Sequence, residues 1–231
     1  MILTNLSSAQ EQLCLGSWPI PSSSFGLLDS LTVDGCHFFS DVLLPFNLLP
    51  FLSNLKELTI RNCTFVKTIF GVKCTTQDTI TFGLKKLSLS NLRTLQNVWN
   101  EDPRGILNMN HLQEVNVNQC KGLKNVFPAS IAQDLVKLKS LVVEDCEELI
   151  TIVAEDDTDP SRRNQDLPCP CVRSLKLRRL PMFKYFYYCS LQSNNFTHRK
   201  SHIEMVRVTV LPLPPWLQIT NHEFLYLFIF V

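Results

Sequence analysis

The sequence predicts an α/β fold: a curved solenoid of stacked leucine-rich units, with one parallel β-sheet on the concave face and irregular or short helical returns on the convex side. Three observations predict it. An apolar template, L-x-x-L-x-L-x-x-C/L with aliphatic substitutes, recurs six times. Roughly 20 residues separate one copy from the next, enough for the long crossover that parallel strands require. Leucine dominates the composition at 36 of 231 residues, whereas glycine supplies only 7.

The copies run Leu28–Leu31–Val33–Cys36, Leu55–Leu58–Ile60–Cys63, Leu84–Leu87–Leu89–Leu92, Leu112–Val115–Val117–Cys120, Leu138–Leu141–Val143–Cys146 and Val172–Leu175–Leu177–Leu180. Their starts lie 27, 29, 28, 26 and 34 residues apart. In each copy the two central residues are two apart and share one face of a strand. In the second copy, Leu58 and Ile60 face inward while Glu57, Thr59 and Arg61 face away. A single strand cannot bury its apolar face alone, but stacking copies at about 4.8 Å makes a continuous apolar spine. Strands are therefore expected near residues 31–33, 58–60, 87–89, 115–117, 141–143 and 175–177.

The closing cysteines 36, 63, 120 and 146 read as small buried thiols that donate weakly to the turn backbone. Each copy has a second half, with an apolar residue at Val66, Leu95, Leu123, Leu149 or Phe183. Apolar pairs follow at Ile69–Phe70, Val98–Trp99, Val126–Phe127 and Ile152–Val153, and the sequence reads there as a loose descending segment.

The pattern places a repeat domain of about six units at 25–190. Residues 1–24 read as an irregular segment around the Ser- and Pro-rich stretch 17–24. Residues 154–170, AEDDTDPSRRNQDLPCP, read as an exposed insertion that accounts for the 34-residue spacing. Residues 191–231 form an atypical tail without a full template, and its final FLYLFIFV is too short to span a bilayer.

Charge and composition exclude several classes. With 22 basic and 21 acidic residues the net charge is +1, which argues against a nucleic-acid binder. A content of 45% hydrophobic and 19% charged residues excludes global disorder. No window reaches 18 apolar residues, so no membrane span is expected. The N-terminus lacks the basic start and apolar run of a signal peptide. Nine cysteines, an odd number spread along the chain, suit free thiols in a reducing, cytoplasmic compartment.

No motif for catalysis, a cofactor or a small-molecule substrate emerges. His222-Glu223 opens like a zinc-protease motif, but Tyr226 stands where the second histidine belongs. Cys169 and Cys171, with His198 and His202, have zinc-ligand chemistry but the wrong spacing, and read as loop thiols. The Gly-Lys dipeptide of a phosphate-binding loop is absent. The expectation is a protein without enzymatic activity, cofactor or metal.

The units resemble the C-terminal leucine-rich repeats of plant intracellular nucleotide-binding disease resistance proteins. The segments that carry the resemblance are LKELTIRNCTFVKTIF (55–70), LKKLSLSNLRTLQNVW (84–99), LQEVNVNQCKGLKNVFPASIAQDLVKLKSLVVEDCEELITIVAED (112–156) and VRSLKLRRLPMFKYF (172–186). Alternation of "xxC" with "xxL…W" or "xxLP" units resembles the coiled-coil-type branch. The resemblance covers roughly 25–190 and implies a leucine-rich-repeat solenoid, a role in defence, and protein partners. Those partners would be the receptor's nucleotide-binding domain, a pathogen effector or a guarded host protein. Such receptors carry a nucleotide-binding module that this chain lacks, so the expectation is the repeat portion alone: a fragment, a non-functional or truncated remnant, or a stand-alone repeat protein. A nucleotide-dependent switch is the remaining alternative, and the missing phosphate loop argues against it.

The recognition surface is expected on the concave face. Its outward set is Asp34, Arg61, Ser90, Asn118, Glu144 and Arg178, which varies chemically from strand to strand. Asp145, Lys176 and Arg179 join it at the C-terminal end, where opposite charges stand side by side.

Overall fold

The computed structural model describes residues 1–4, 26–36, 41–72, 79–154 and 172–187. In chain order the first strands are β1 (Ile2–Thr4), β2 (Ser30–Asp34), β3 (Val42–Leu44), β4 (Glu57–Arg61), β5 (Thr68–Phe70), β6 (Ile80–Thr81), β7 (Lys86–Ser90) and β8 (Asn97–Trp99). They continue as β9 (Leu107–Asn108), β10 (Glu114–Asn118), β11 (Asn125–Phe127), β12 (Ser140–Glu144), β13 (Thr151–Val153), β14 (Ser174–Arg178) and β15 (Tyr185–Tyr187). Helical structure among the described residues amounts to a 3-10 segment at Phe46–Leu52 and the short helix α1 (Ala129–Asp134).

All six template copies form strands, and these stack in chain order in one sheet, β1-β2-β4-β7-β10-β12-β14. Every pairing in it is parallel. The register aligns Leu31, Leu58, Leu87, Val115, Leu141 and Leu175 in one row. Val33, Ile60, Leu89, Val117, Val143 and Leu177 form the second. Both rows are buried apart from Leu175, which is partly covered at the end of the stack. The period of two read from the sequence is thus the packing period of the core.

Two features differ from expectation. The sheet has a seventh strand, β1, inside the segment read as irregular. Leu3 sits in register with Val33, and Ile2 with Thr32. Met1-x-Leu3-x-x-Leu6 is a partial template copy. It lacks the leading leucine, and a search for the full template passes over it. Residues 5–25, the insertion at 155–170 and the tail at 191–231 lie outside the described residues.

The second difference is the return side, which is neither loose nor chiefly helical. Short parallel strands stack there as β3-β5-β8 and β11-β13-β15, with β6 paired to β9. The cause is geometric: the main sheet holds successive returns at ladder spacing, and the buried backbone polar groups they carry must find partners. Apolar pairs that carry no period of their own thereby become strands. Ile69, Phe70, Val98, Trp99, Val126 and Phe127 are buried. Phe70 stacks on Trp99 with ring centroids 5.5 Å apart and meets Phe82 edge-on at 5.9 Å. Trp99 continues to Phe127 at 6.0 Å. Asn100 closes this layer, accepting from the Val72 N–H at 2.5 Å and donating to its carbonyl at 3.0 Å.

Candidate functional site

A repeated turn sets the far margin of the sheet's solvent face. The residue after each strand has a left-handed backbone: Gly35, Asn62, Asn91, Gln119, Asp145 and Arg179, with φ between 52° and 63°. Glycine and asparagine adopt this conformation readily, whereas arginine and glutamine do so only under constraint. For all of them but Arg179, at the end of the stack, the constraint is a hydrogen bond to the last residue of the next strand. The Asn62 N–H donates to the Ser90 carbonyl at 3.1 Å, that of Gln119 to Glu144 at 3.0 Å, and that of Asp145 to Arg178 at 3.0 Å. The cysteine two residues past the strand points inward, and its thiol donates back to the strand's last carbonyl. Cys63 Sγ lies 3.3 Å from the Arg61 oxygen and Cys146 Sγ 3.3 Å from that of Glu144. Burial pushes the Cys63 and Cys146 thiols up to about 11, and raises Cys120 as well. These three thiols are therefore structural, because the reactive thiolate is disfavoured.

On this frame the predicted outward set forms a single row. Asp34, Arg61, Ser90, Asn118, Glu144 and Arg178 are consecutive register partners on adjacent strands. Lys176 lies two residues before Arg178 on β14, and Asp145 and Arg179 occupy the left-handed positions beyond the row. The fold thus brings together all nine residues picked out from the sequence.

Their interactions divide the row in three. At the N-terminal end Arg61 Nε pairs with Asp34 Oδ2 at 2.9 Å. Asn62 donates to the other Asp34 oxygen at 2.7 Å, and Asn91 donates to Asn62 at 2.9 Å. The centre of the row is uncharged and short-chained, with Thr59, Ser88 and Asn116 beside Ser90 and Asn118, while Lys86 and Glu114 pair at 3.4 Å at the opposite end of the same strands. At the C-terminal end Lys176 Nζ pairs with Glu144 Oε1 at 2.8 Å, and Asn118 donates to Glu144 Oε2 at 3.5 Å. The Arg179 guanidinium grips the Asp145 carboxylate with two N–H groups, Nε and Nη2. That fork holds the Asp145 carboxyl below the usual carboxylate range and raises Arg179 in turn.

Lys176, Arg178 and Arg179, the basic residues at the end of the stack, look equivalent in the sequence, and the geometry separates them. Lys176 and Arg179 are engaged by acidic neighbours. Arg178 is half-buried, its Nε is closed off from solvent, and that nitrogen has no hydrogen-bond partner among the described residues. Nothing in the sequence distinguishes it from Arg179, because the distinction depends on which side of a turn each residue leaves.

Among the described residues no group of three His, Cys, Asp or Glu side chains stands together as a metal site. Cys169, Cys171, His198, His202, His222 and Glu223 lie outside the described residues. Among the described residues, no helix is long and apolar enough to cross a membrane.

A family model described as "Plant disease resistance protein RPS2-like, leucine-rich repeats" matches residues 2–147. No curated protein matches the chain, and neither does any solved structure. The match begins within β1 and ends just past the Cys146 turn, so β14 continues the pattern beyond it. It takes in more than half of the chain and all but the last strand of the sheet just described, and on that ground the chain belongs to the RPS2-like leucine-rich-repeat family of plant disease resistance proteins.

Proposed function

We propose that this chain is the protein-interaction module of a coiled-coil-type nucleotide-binding leucine-rich-repeat immune receptor. Its stack curves as a solenoid, and the solvent face of the sheet is the concave recognition surface. It acts in the defence response, in the cytoplasm, by binding the receptor's nucleotide-binding domain, a pathogen effector or a guarded host protein. It acts by binding and not by catalysis.

The observation that carries this reading is the register row from Asp34 to Arg178, one outward side chain per strand on a backbone pinned by a cross-stack hydrogen bond at each turn from Gly35 to Asp145. Such a row is chemically varied while the buried rows beneath it are uniformly aliphatic. Variation confined to the solvent face is what partner choice requires, since complementarity there sets specificity without disturbing the core.

The test is direct. The purified chain is titrated with the nucleotide-binding domain of a coiled-coil-type receptor, and saturable, salt-dependent binding is expected. A chain that binds no such domain at low or high salt overturns the reading. Calorimetric titration with ADP and with ATP is expected to give no binding heat, and saturable heat would favour a nucleotide-dependent switch.

A further inference from the structure

We infer that Arg178 is the anchor of the recognition face and that it takes a single carboxylate from an acidic side chain of the partner protein. The inference rests on the proposed interaction role and adds to it the residue and the chemistry of the contact. Of the seven charged side chains among the nine predicted residues, six are engaged with one another. Asp34 is paired with Arg61, Glu144 with Lys176, and Asp145 with Arg179. Of these seven, Arg178 alone has no ion-pair partner among the described residues. The carboxylates beside it face other groups: Glu144 Oε1 lies 2.8 Å from Lys176 Nζ as an ion pair without an aligned hydrogen bond, Asn118 donates to Glu144 Oε2, and both Asp145 oxygens face Arg179. Its Nε is stripped of water without an acceptor among the described residues and is closed to a partner as well, so the carboxylate is taken by the terminal Nη groups. A guanidinium carries five donors in a rigid fork that matches a carboxylate, and burial of its stem restricts its motion before any partner arrives.

The local charge selects the ligand class. Glu144 and Asp145 against Lys176, Arg178 and Arg179 leave two negative and three positive charges, a net of +1. One monoanion neutralises that cluster. A phosphate dianion would meet the two carboxylates, and a nucleic-acid backbone needs a continuous basic stripe that these acids interrupt. Beyond Glu144, two strands from Arg178, the row is short and uncharged from Asn118 to Ser90, so a partner surface can approach closely there.

The experiment compares Arg178→Gln with Arg179→Gln in the full chain, titrated with the nucleotide-binding domain of a coiled-coil-type receptor. Arg178→Gln is expected to weaken binding tenfold or more and to flatten its salt dependence, whereas Arg179→Gln, which breaks only an internal pair, is expected to change it less than threefold. In the parent complex Arg178 is expected to be shielded from phenylglyoxal while Arg61 and Arg179 react as in the free chain. Circular dichroism melts of each variant identify loss of fold, and Arg178→Lys, which keeps the charge but not the fork, is expected to restore binding only in part. If the parent binds and Arg178→Gln binds as tightly, or if Arg179→Gln loses more, the anchor assignment is wrong while the interaction role stands. If the parent does not bind at all, both fail.

Discussion

The two sides of the stack are built on different principles. The main sheet packs aliphatic residues of nearly constant size at fixed register, with Leu, Ile or Val at both inward positions of every strand from β2 to β14. The return side packs rings of changing size, Phe70 on Trp99 on Phe127, across strands of only three residues. The sheet side is specified locally, by a template each copy carries. The return side is specified collectively, because each short strand exists only where its neighbours hold it. The sheet should therefore lose stability in proportion to the group removed, while the return side should lose it through the stacked neighbours.

The largest expected effect is on the return side. Trp99→Ala removes the centre of the ring stack and should cost about 3–5 kcal/mol in urea melts. Trp99→Phe keeps the stack and removes an indole N–H that is buried without a partner. It should cost less than about 1.5 kcal/mol, because a hydrophobic swap of similar shape carries no polar group to strand. If both cost the same, the ring stack is not what holds the returns.

On the sheet side Leu141→Ala should cost about 2–5 kcal/mol through the cavity it leaves in the spine. Its neighbour Val142 faces solvent and is only half-buried. Val142→Ala should stay within about 0.5 kcal/mol. Equal losses would reverse the assignment of faces.

The cysteine turns separate the two sides by pH. Cys63 and Cys146 have folded values of about 11 against an ordinary 9.0. A folded value above the unfolded one contributes stability that is present below pH 9.0 and lost as pH rises towards about 11. Urea midpoints should fall across that window, and Cys63→Ala with Cys146→Ala should flatten the fall even if it lowers stability at neutral pH. An unchanged slope would mean that the thiols are not the groups titrating.

The smallest effect belongs to the exposed fork. Asp145 is held below the usual carboxylate range, foremost by its hydrogen bonds from Arg179. Its contribution is present above the unfolded carboxyl value and is lost as pH falls through the folded one. The parent should melt slightly above Asp145→Asn at neutral pH and low salt, and the gap should close in acid or at high salt. A gap that survives both would show a structural role for Asp145 beyond its charge.

Much of this was legible in the residues. Leu58 and Ile60, two apart and flanked by Glu57 and Arg61, state a half-buried strand without reference to anything else, and the same holds for the other five copies. Seven of the nine face residues were legible for the same reason, whereas Asp145 and Arg179 follow their strands and take their places through the left-handed turn. β1 was legible only in part, since its segment shows the end of the template and not its start. The return strands were not legible, because Thr68-Ile69-Phe70 is buried at all three positions and shows no alternation. The separate fates of Arg178 and Arg179 were hidden too, since both are arginines on one strand end and both lie near the same acids.

By itself the sequence determined where the six template strands lie and which side chains turn inward, because strand alternation is a property of five consecutive residues. Only the tertiary structure decided that the returns pair as strands, that Arg179 takes Asp145, and that Arg178 is left over. Those outcomes depend on groups brought together from neighbouring turns of the stack, 34 residues apart in the case of Asp145 and Arg179. No local pattern encodes which of two adjacent cations will reach a carboxylate that far along the chain, because the answer is set by strand register and the left-handed turn.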